Sequence, residues 1–226
     1  MTTQSVVHTP RRGESIWVLV STYPRLLKWT PLAAASVSAW TLLAWKSGEI
    51  ETAGSAVWML RFTMLIVTYG AVFLLDDASR SMSEPAPISL QARVGLRCIL
   101  MAALGLLAMI PVVVTVSAKV DLGGDWRGLA VEFTVVVLLA ISCSLVLQRT
   151  RGISEPGQFA GLAPILIFVA AELTGGRWPL LPTPGPLWAD AHARWLAIGL
   201  VAAVVVVWQL RDPAAPSLAR SLRLTR

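Results

Sequence analysis

Between Cys98 and Ala118 the chain reads CILMAALGLLAMIPVVVTVSA, without a charged residue. A run this long and this apolar has no face to offer water. As one helix rising 1.5 Å per residue it matches the ~30 Å hydrocarbon core of a bilayer. Lipid supplies no hydrogen-bond partners for backbone, so a segment that crosses it must satisfy its own peptide groups, as a helix does. The run is continuous, not alternating, which excludes a barrel strand.

Applied along the whole chain, the same criterion gives six candidate spans. They are Pro31–Trp45, Ala53–Leu75, Val94–Ala118, Leu129–Leu147, Phe159–Leu173 and Trp195–Leu210. The first, fifth and sixth are short. Composition agrees with a membrane class: 55% of residues are hydrophobic and only 14% charged, against roughly 25% charged in soluble domains. The expected fold is all-α: a polytopic membrane protein with about six transmembrane helices behind an N-terminal interfacial helix. Residues 1–30 form a cytoplasmic segment with that helix, 31–210 the six-helix domain, and 211–226 a basic cytoplasmic tail.

The net charge is +6. In a soluble protein this would raise nucleic-acid binding. Here the basic residues flank apolar runs, so orientation explains them and no nucleic acid is expected. Arg11, Arg12, Arg25 and Lys28 precede the first run. Arg80, Arg93 and Arg97 follow the second, Arg149 and Arg151 the fourth, and Arg211, Arg220, Arg223 and Arg226 end the chain. Only Lys46, Arg61, Lys119, Arg127, Arg177 and Arg194 fall on or near the other side. Both termini are therefore expected in the cytoplasm. The N-terminus lacks the basic-then-apolar layout of a cleaved signal peptide, so the first span is expected to act as the insertion signal. Cys98 and Cys143 lie in apolar segments, which implies no disulfide framework.

Three segments carry more information. ESIWVLVSTYPRLLKW (14–29) mixes Trp, Tyr, Arg and Lys with leucines around Pro24, a composition suited to the headgroup region. The outer segment TGGRWPLLPTPGPLWADAHARW is too apolar for an ordinary loop, and is expected to re-enter the outer leaflet or to lie along it. The third segment is SAVWMLRFTMLIVTYGAVFLLDDASR (55–80). Arg61 interrupts this span ~22 Å from its cytoplasmic end, in the outer leaflet. Glu132 and Glu172 are its natural partners there. The span ends on Asp76 and Asp77, carboxylates placed against the negative end of the helix dipole. Arg80, Arg93 and Arg97 are near enough to offset them, and so would be a basic groove on a partner protein.

Several chemistries are excluded. The chain has no Gly-rich phosphate loop, no His-Glu-x-x-His motif and no Gly-x-Ser-x-Gly elbow. Its histidines are His8 and His192, and Asp190 with His192 supplies too few ligands for zinc. No enzyme activity, metal or cofactor is expected of the chain itself.

This layout resembles the permease subunits of type-2 ATP-binding-cassette (ABC) exporters, in a compact form like those of high-GC bacteria. The nearest local likeness is FLLDDASR at the end of the second span. The resemblance implies a multi-pass protein of the bacterial plasma membrane that pairs with itself or a sister permease. Two separate cytoplasmic ATPase subunits, carrying ATP and Mg, would dock beneath. It further implies that Asp76, Asp77, Arg80, Arg93 and Arg97 form the ATPase-coupling element. Arg61, Glu132 and Glu172 would line or gate the substrate path. Two other readings compete with it: a non-transporting membrane anchor or regulatory subunit, and an ATP-independent channel or secondary carrier.

Overall fold

The computed structural model describes residues 27–76, 90–174 and 179–210, with side chains from Val94 onward in the second stretch. Among them are six α-helices, two short 3-10 turns and no strand. The helices are α1 (Trp29–Lys46), α2 (Ala53–Ala71), α3 (Leu90–Ser117), α4 (Asp125–Arg151), α5 (Gly157–Leu173) and α6 (Trp188–Leu210). The 3-10 turns Ser47–Glu49 and Val72–Leu75 follow α1 and α2. The interfacial helix expected over 14–29 and the tail at 211–226 lie outside the described residues, apart from 27–29.

Local chemistry sets several ends. Thr52 and Ser55 form a capping box at the start of α2: Thr52 Oγ1 accepts from the Ser55 amide at 3.2 Å, and Ser55 Oγ accepts from the Thr52 amide at 3.1 Å. This satisfies two amides that the first turn leaves over. Helix α4 begins on Asp125 and ends with Arg149 and Arg151, charges that complement both ends of its dipole. It stops at Gly152, whose φ of 64° is the left-handed cap conformation that glycine adopts without steric cost.

Four helical segments are long and apolar enough to cross a membrane: Ala53–Leu75, Val94–Ser117, Asp125–Arg151 and Trp188–Leu210. They fit a membrane-embedded protein. The two remaining expected spans differ from these. Helix α5 is a shorter apolar helix. Helix α1 is 18 residues long, but its tryptophans, serines, threonines and Lys46 dilute its hydropathy. Five helices start earlier than the apolar runs that announce them: α1 at Trp29, α3 at Leu90, α4 at Asp125, α5 at Gly157 and α6 at Trp188.

Helix α2 is the centre of the bundle and packs against α1, α3, α4 and α5. Its buried residues include Ala56, Val57, Leu60, Arg61, Thr63, Met64, Val67 and Thr68, a face about half the helix wide, while Phe62 on the opposite side is exposed. Helix α6 is the opposite case. Ala191, His192, Trp195, Gly199 and Ala202 face α4 and its neighbours, while Leu196, Leu200, Val204 and Trp208 are exposed. An exterior of bare leucine and valine is costly in water and neutral in hydrocarbon.

Contacts between distant segments define the two ends. At one end Lys28, Asp76, Arg97, Gln148, Glu155 and the start of α5 converge. Arg149 also donates there to the Trp208 and Gln209 carbonyls at the C-terminus of α6, at 3.3 and 3.1 Å. At the other end Lys119 donates to the Ser47 carbonyl at 2.6 Å, and Arg194 to the Pro179 carbonyl at 2.8 Å. All six helices thus alternate in direction between the same two ends. Leu180 and Leu181 are buried, and Trp195 donates its indole N–H to the Leu180 carbonyl at 2.7 Å. The Pro-rich segment is therefore held against α6.

The tightest crossing joins α1 and α2 at Gly70. A Cβ there would overlap Ala35 and come within 2.7 Å of the Pro31 carbonyl oxygen. Gly70→Val is expected to lower stability by about 1–3 kcal/mol through overpacking. Gly48→Ala, where nothing lies within 4 Å, should be close to neutral. Thermal unfolding of both variants in mild detergent checks the difference, and equal midpoints would sink the crossing.

Candidate functional site

Arg61 and Glu132 meet where α2 crosses α4. Arg61 donates from Nε to Glu132 Oε2 at 2.8 Å and from Nη2 to Oε1 at 2.6 Å. The pair is bidentate, the geometry in which guanidinium and carboxylate bind most strongly. Both side chains are fully enclosed, with 1% and 0% exposure. Glu132 lies ~10 Å along α4 from its start, so the pair sits in the half of the bundle away from Asp76.

Three further side chains complete the shell. His192, on the first turns of α6, places Nε2 3.2 Å from Glu132 Oε1, short of hydrogen-bond alignment. Its Nδ1 lies 2.6 Å from the Trp188 carbonyl. A carbonyl only accepts, so Nδ1 carries a proton. The neutral ring then turns its Nε2 lone pair toward a carboxylate oxygen, and a proton on Nε2 converts that repulsion into an ion contact. The Arg61 guanidinium carbon lies 5.5 Å from the Trp58 ring centroid and 5.8 Å from that of Trp188, within cation–π range. Gly128 makes room for the ring: a Cβ there would lie 2.5 Å from His192 Nε2. Arg61 Nη1 is buried and has no hydrogen-bond partner among the described residues.

Of the two carboxylates that spacing offers to Arg61, Glu132 takes the role. Glu172 is exposed at the end of α5, beside a groove of about 480 Å³ lined by residues 179–187. His192, Trp58 and Trp188 were not legible as site residues. The stretch WADAHAR precedes the apolar run that starts at Trp195, so it reads as part of the connecting segment. It forms helix because alanines dominate, Asp190 sits in the favourable first turn, and Arg194 and Trp195 tie down the preceding segment.

A second polar junction lies at the other end. Asp76 is 5% exposed. Its Oδ1 accepts from the Gly157 amide at 2.8 Å, and Lys28 Nζ is 3.4 Å from Oδ2 and 2.9 Å from Glu155 Oε2. The backbone carbonyl of Asp76 accepts from Arg97 at 2.7 Å, and that of Leu75 from Gln148 at 3.0 Å. Asp76, badly placed for the dipole of its own helix, is thus well placed for that of α5, whose N-terminus it caps. Burial pushes its carboxyl above the ordinary carboxylate value, against the pull of Gly157 and Lys28. Burial pulls Lys28 down, but Glu155 and Asp76 outweigh it and leave the ammonium above its ordinary value.

Among the expected coupling residues, Asp76 and Arg97 are therefore buried and bonded to other parts of the chain. Arg93 belongs to the first turn of α3. Asp77 and Arg80 lie outside the described residues. No group of three or more metal-ligating side chains occurs among the described residues. No protein family, curated protein or solved structure matches the chain.

Glu132→Ala leaves Arg61 buried without its counter-charge, and is expected to cost about 3–5 kcal/mol. Arg61→Met combined with Glu132→Leu should recover most of that loss, because neither charge then remains to be desolvated. A thermodynamic cycle over the two single variants and the double variant, measured by denaturation in detergent, tests the coupling. Additive losses would rule it out.

At Asp76 the raised carboxyl gives a definite sign. The folded chain holds this proton more tightly than the unfolded one, so the group's contribution to stability falls as pH rises from 3.8, the ordinary value, through the folded value. Asp76→Asn keeps an oxygen for the Gly157 amide and should flatten that part of the pH–stability curve. Asp76→Ala should destabilise the chain by about 1 kcal/mol, as loss of a helix cap does. An unchanged curve in Asp76→Asn would remove Asp76 as the titrating group.

Proposed function

We propose that this chain is the permease subunit of a membrane exporter driven by separate ABC ATPase subunits. The observation that carries a transport role is the fully enclosed Arg61–Glu132 pair within apolar helices. Ionisable side chains at such depth mark substrate or ion pathways more often than they mark structure alone. In this reading all six helices cross the bilayer, α1 and α5 among them. The end bearing Lys28, Asp76, Arg97 and Arg149 faces the cytoplasm of a bacterial cell, and the cluster lies toward the outside. An interfacial helix over 14–29 leads into α1.

The coupling element then divides in two. Asp76 and Arg97 form the base of the α2–α3 connection, bonded to each other and to α5. Contact with the ATPase falls to Asp77, Arg80 and Arg93. Two permease subunits with two ATPases complete the transporter, and Glu172 stands at the outer mouth of the path.

His192 favours one other reading. A ring whose Nε2 lies 3.2 Å from Glu132 Oε1 is placed to take up and release a proton there, which suits a carrier driven by a proton gradient. The two readings separate cleanly. Purified from mild detergent, the exporter subunit brings an ATPase with it, and replacing Asp77 and Arg80 together by Ala lowers coupled transport by about tenfold at unchanged membrane abundance. Gradient-driven uptake in proteoliposomes containing this chain alone would overturn the exporter and establish the carrier.

A further inference from the structure

The cluster adjoins a cavity of about 180 Å³ between α2, α3 and α4, with Arg61 in its wall beside Leu60, Met64, Met109, Leu129 and Phe133. Arg61 is the one charged residue lining it, and Trp126 the one other side chain with a polar atom. Water is poorly served there, since a buried water needs two to four polar partners. An apolar cavity of roughly 150 Å³ holds a benzene ring, so this one takes a ring or a short alkyl stretch. At its rim, Leu106 and Val113 lie on the exposed apolar face of α3. A ligand would therefore enter sideways, from hydrocarbon.

One observation defines the polar end of that ligand. Arg61 uses Nε and Nη2 on Glu132 and leaves Nη1 unbonded at 1% exposure. An unmade bond of this kind on a buried charge costs more than a neutral one.

We propose that this cavity binds a small lipophilic monocarboxylic acid, aromatic or short-chain. Its carboxylate accepts from Arg61 Nη1 and its apolar part fills the space between Met64, Met109 and Phe133. The proposal rests on the transport reading and names the substrate class of the same site. A whole phospholipid exceeds the space, and entry of one acyl chain is the competing outcome that the test separates.

The test uses full-length protein in phosphatidylcholine nanodiscs and a diazirine-bearing phenylpropionic acid as photolabel. The acid should label peptides carrying Met64, Met109 or Phe133, saturably. Its methyl ester should label about tenfold less. Ala130→Phe, which fills the cavity from an exposed position and leaves residue 61 unsubstituted, should reduce labelling by a similar factor while thermal stability is kept. Arg61→Met with Glu132→Leu should abolish the preference for acid over ester. Equal labelling by ester and acid, labelling spread over exposed faces of α3 and α6, or equal competition by anionic phospholipid would each overturn the proposal. Recovery of an ATPase on purification is independent of these outcomes, so failure of either idea is distinguishable from failure of the other.

Discussion

A guanidinium and a carboxylate sealed between apolar helices constrain everything around them. Removing two ions from water is costly, and only close, bidentate geometry offsets that cost. Arg61 and Glu132 achieve it only if α2 and α4 cross at a fixed depth and rotation. Gly128 is where α4 lets His192 approach. The tryptophans complete the enclosure with ring faces, which accept a cation without adding a counter-charge. Replacing the pair with hydrophobic side chains is expected to leave the fold stable, so stability alone does not account for it. What the pair adds is a charged, partly unsatisfied surface at a depth where lipid offers none.

The opposite end solves a different problem with related means. Carboxylates after α2 oppose the dipole of that helix, and Asp76 escapes the conflict by turning to the N-terminus of α5. Gly157 permits this close approach: a Cβ there would stand 2.9 Å from Asp76 Oδ1. Lys28 then bridges Asp76 and Glu155, so the entrance to α1 is tied to the same point. Three connections that sequence order keeps far apart meet on one carboxylate.

Much of the helical layout is legible in the sequence because hydrophobic runs report lipid-compatible length directly. The run at 98–118 lies inside α3 but for its last residue, and FLLDD marks the end of the 3-10 extension of α2. Legibility fails where polar residues are absorbed into helices. Asp125 and Arg127 before the fourth run, and Asp190, His192 and Arg194 before the sixth, read as loop. Their partners are set by tertiary contact, which no local window contains. Arg61 and Glu132 were recognisable as partners, since both are acid–base groups at one depth by simple counting. Glu172 satisfied the same count and stands exposed, because depth fixes height along the bundle and not direction around a helix. His192 had no signal at all: its role depends on the turn of α6 that begins at Trp188.

Both polar junctions are anchored on α2 and its 3-10 extension, ~22 Å apart along one continuous helical rod. Arg61 binds it to α4 and Asp76 binds it to α5, while Gly70 locks it against α1. Both contacts sit on one rod, so a tilt of α2 about either junction changes the geometry at the other. The ligand carboxylate proposed at Arg61 Nη1 would place a second anion on a guanidinium whose Nε and Nη2 hold Glu132, and so bias one of these contacts. In the exporter reading proposed above, a partner at the α2–α3 connection would act on the other through the base formed by Asp76 and Arg97. The two sites need no chain of intervening side chains to communicate, because they bias the position of a single element.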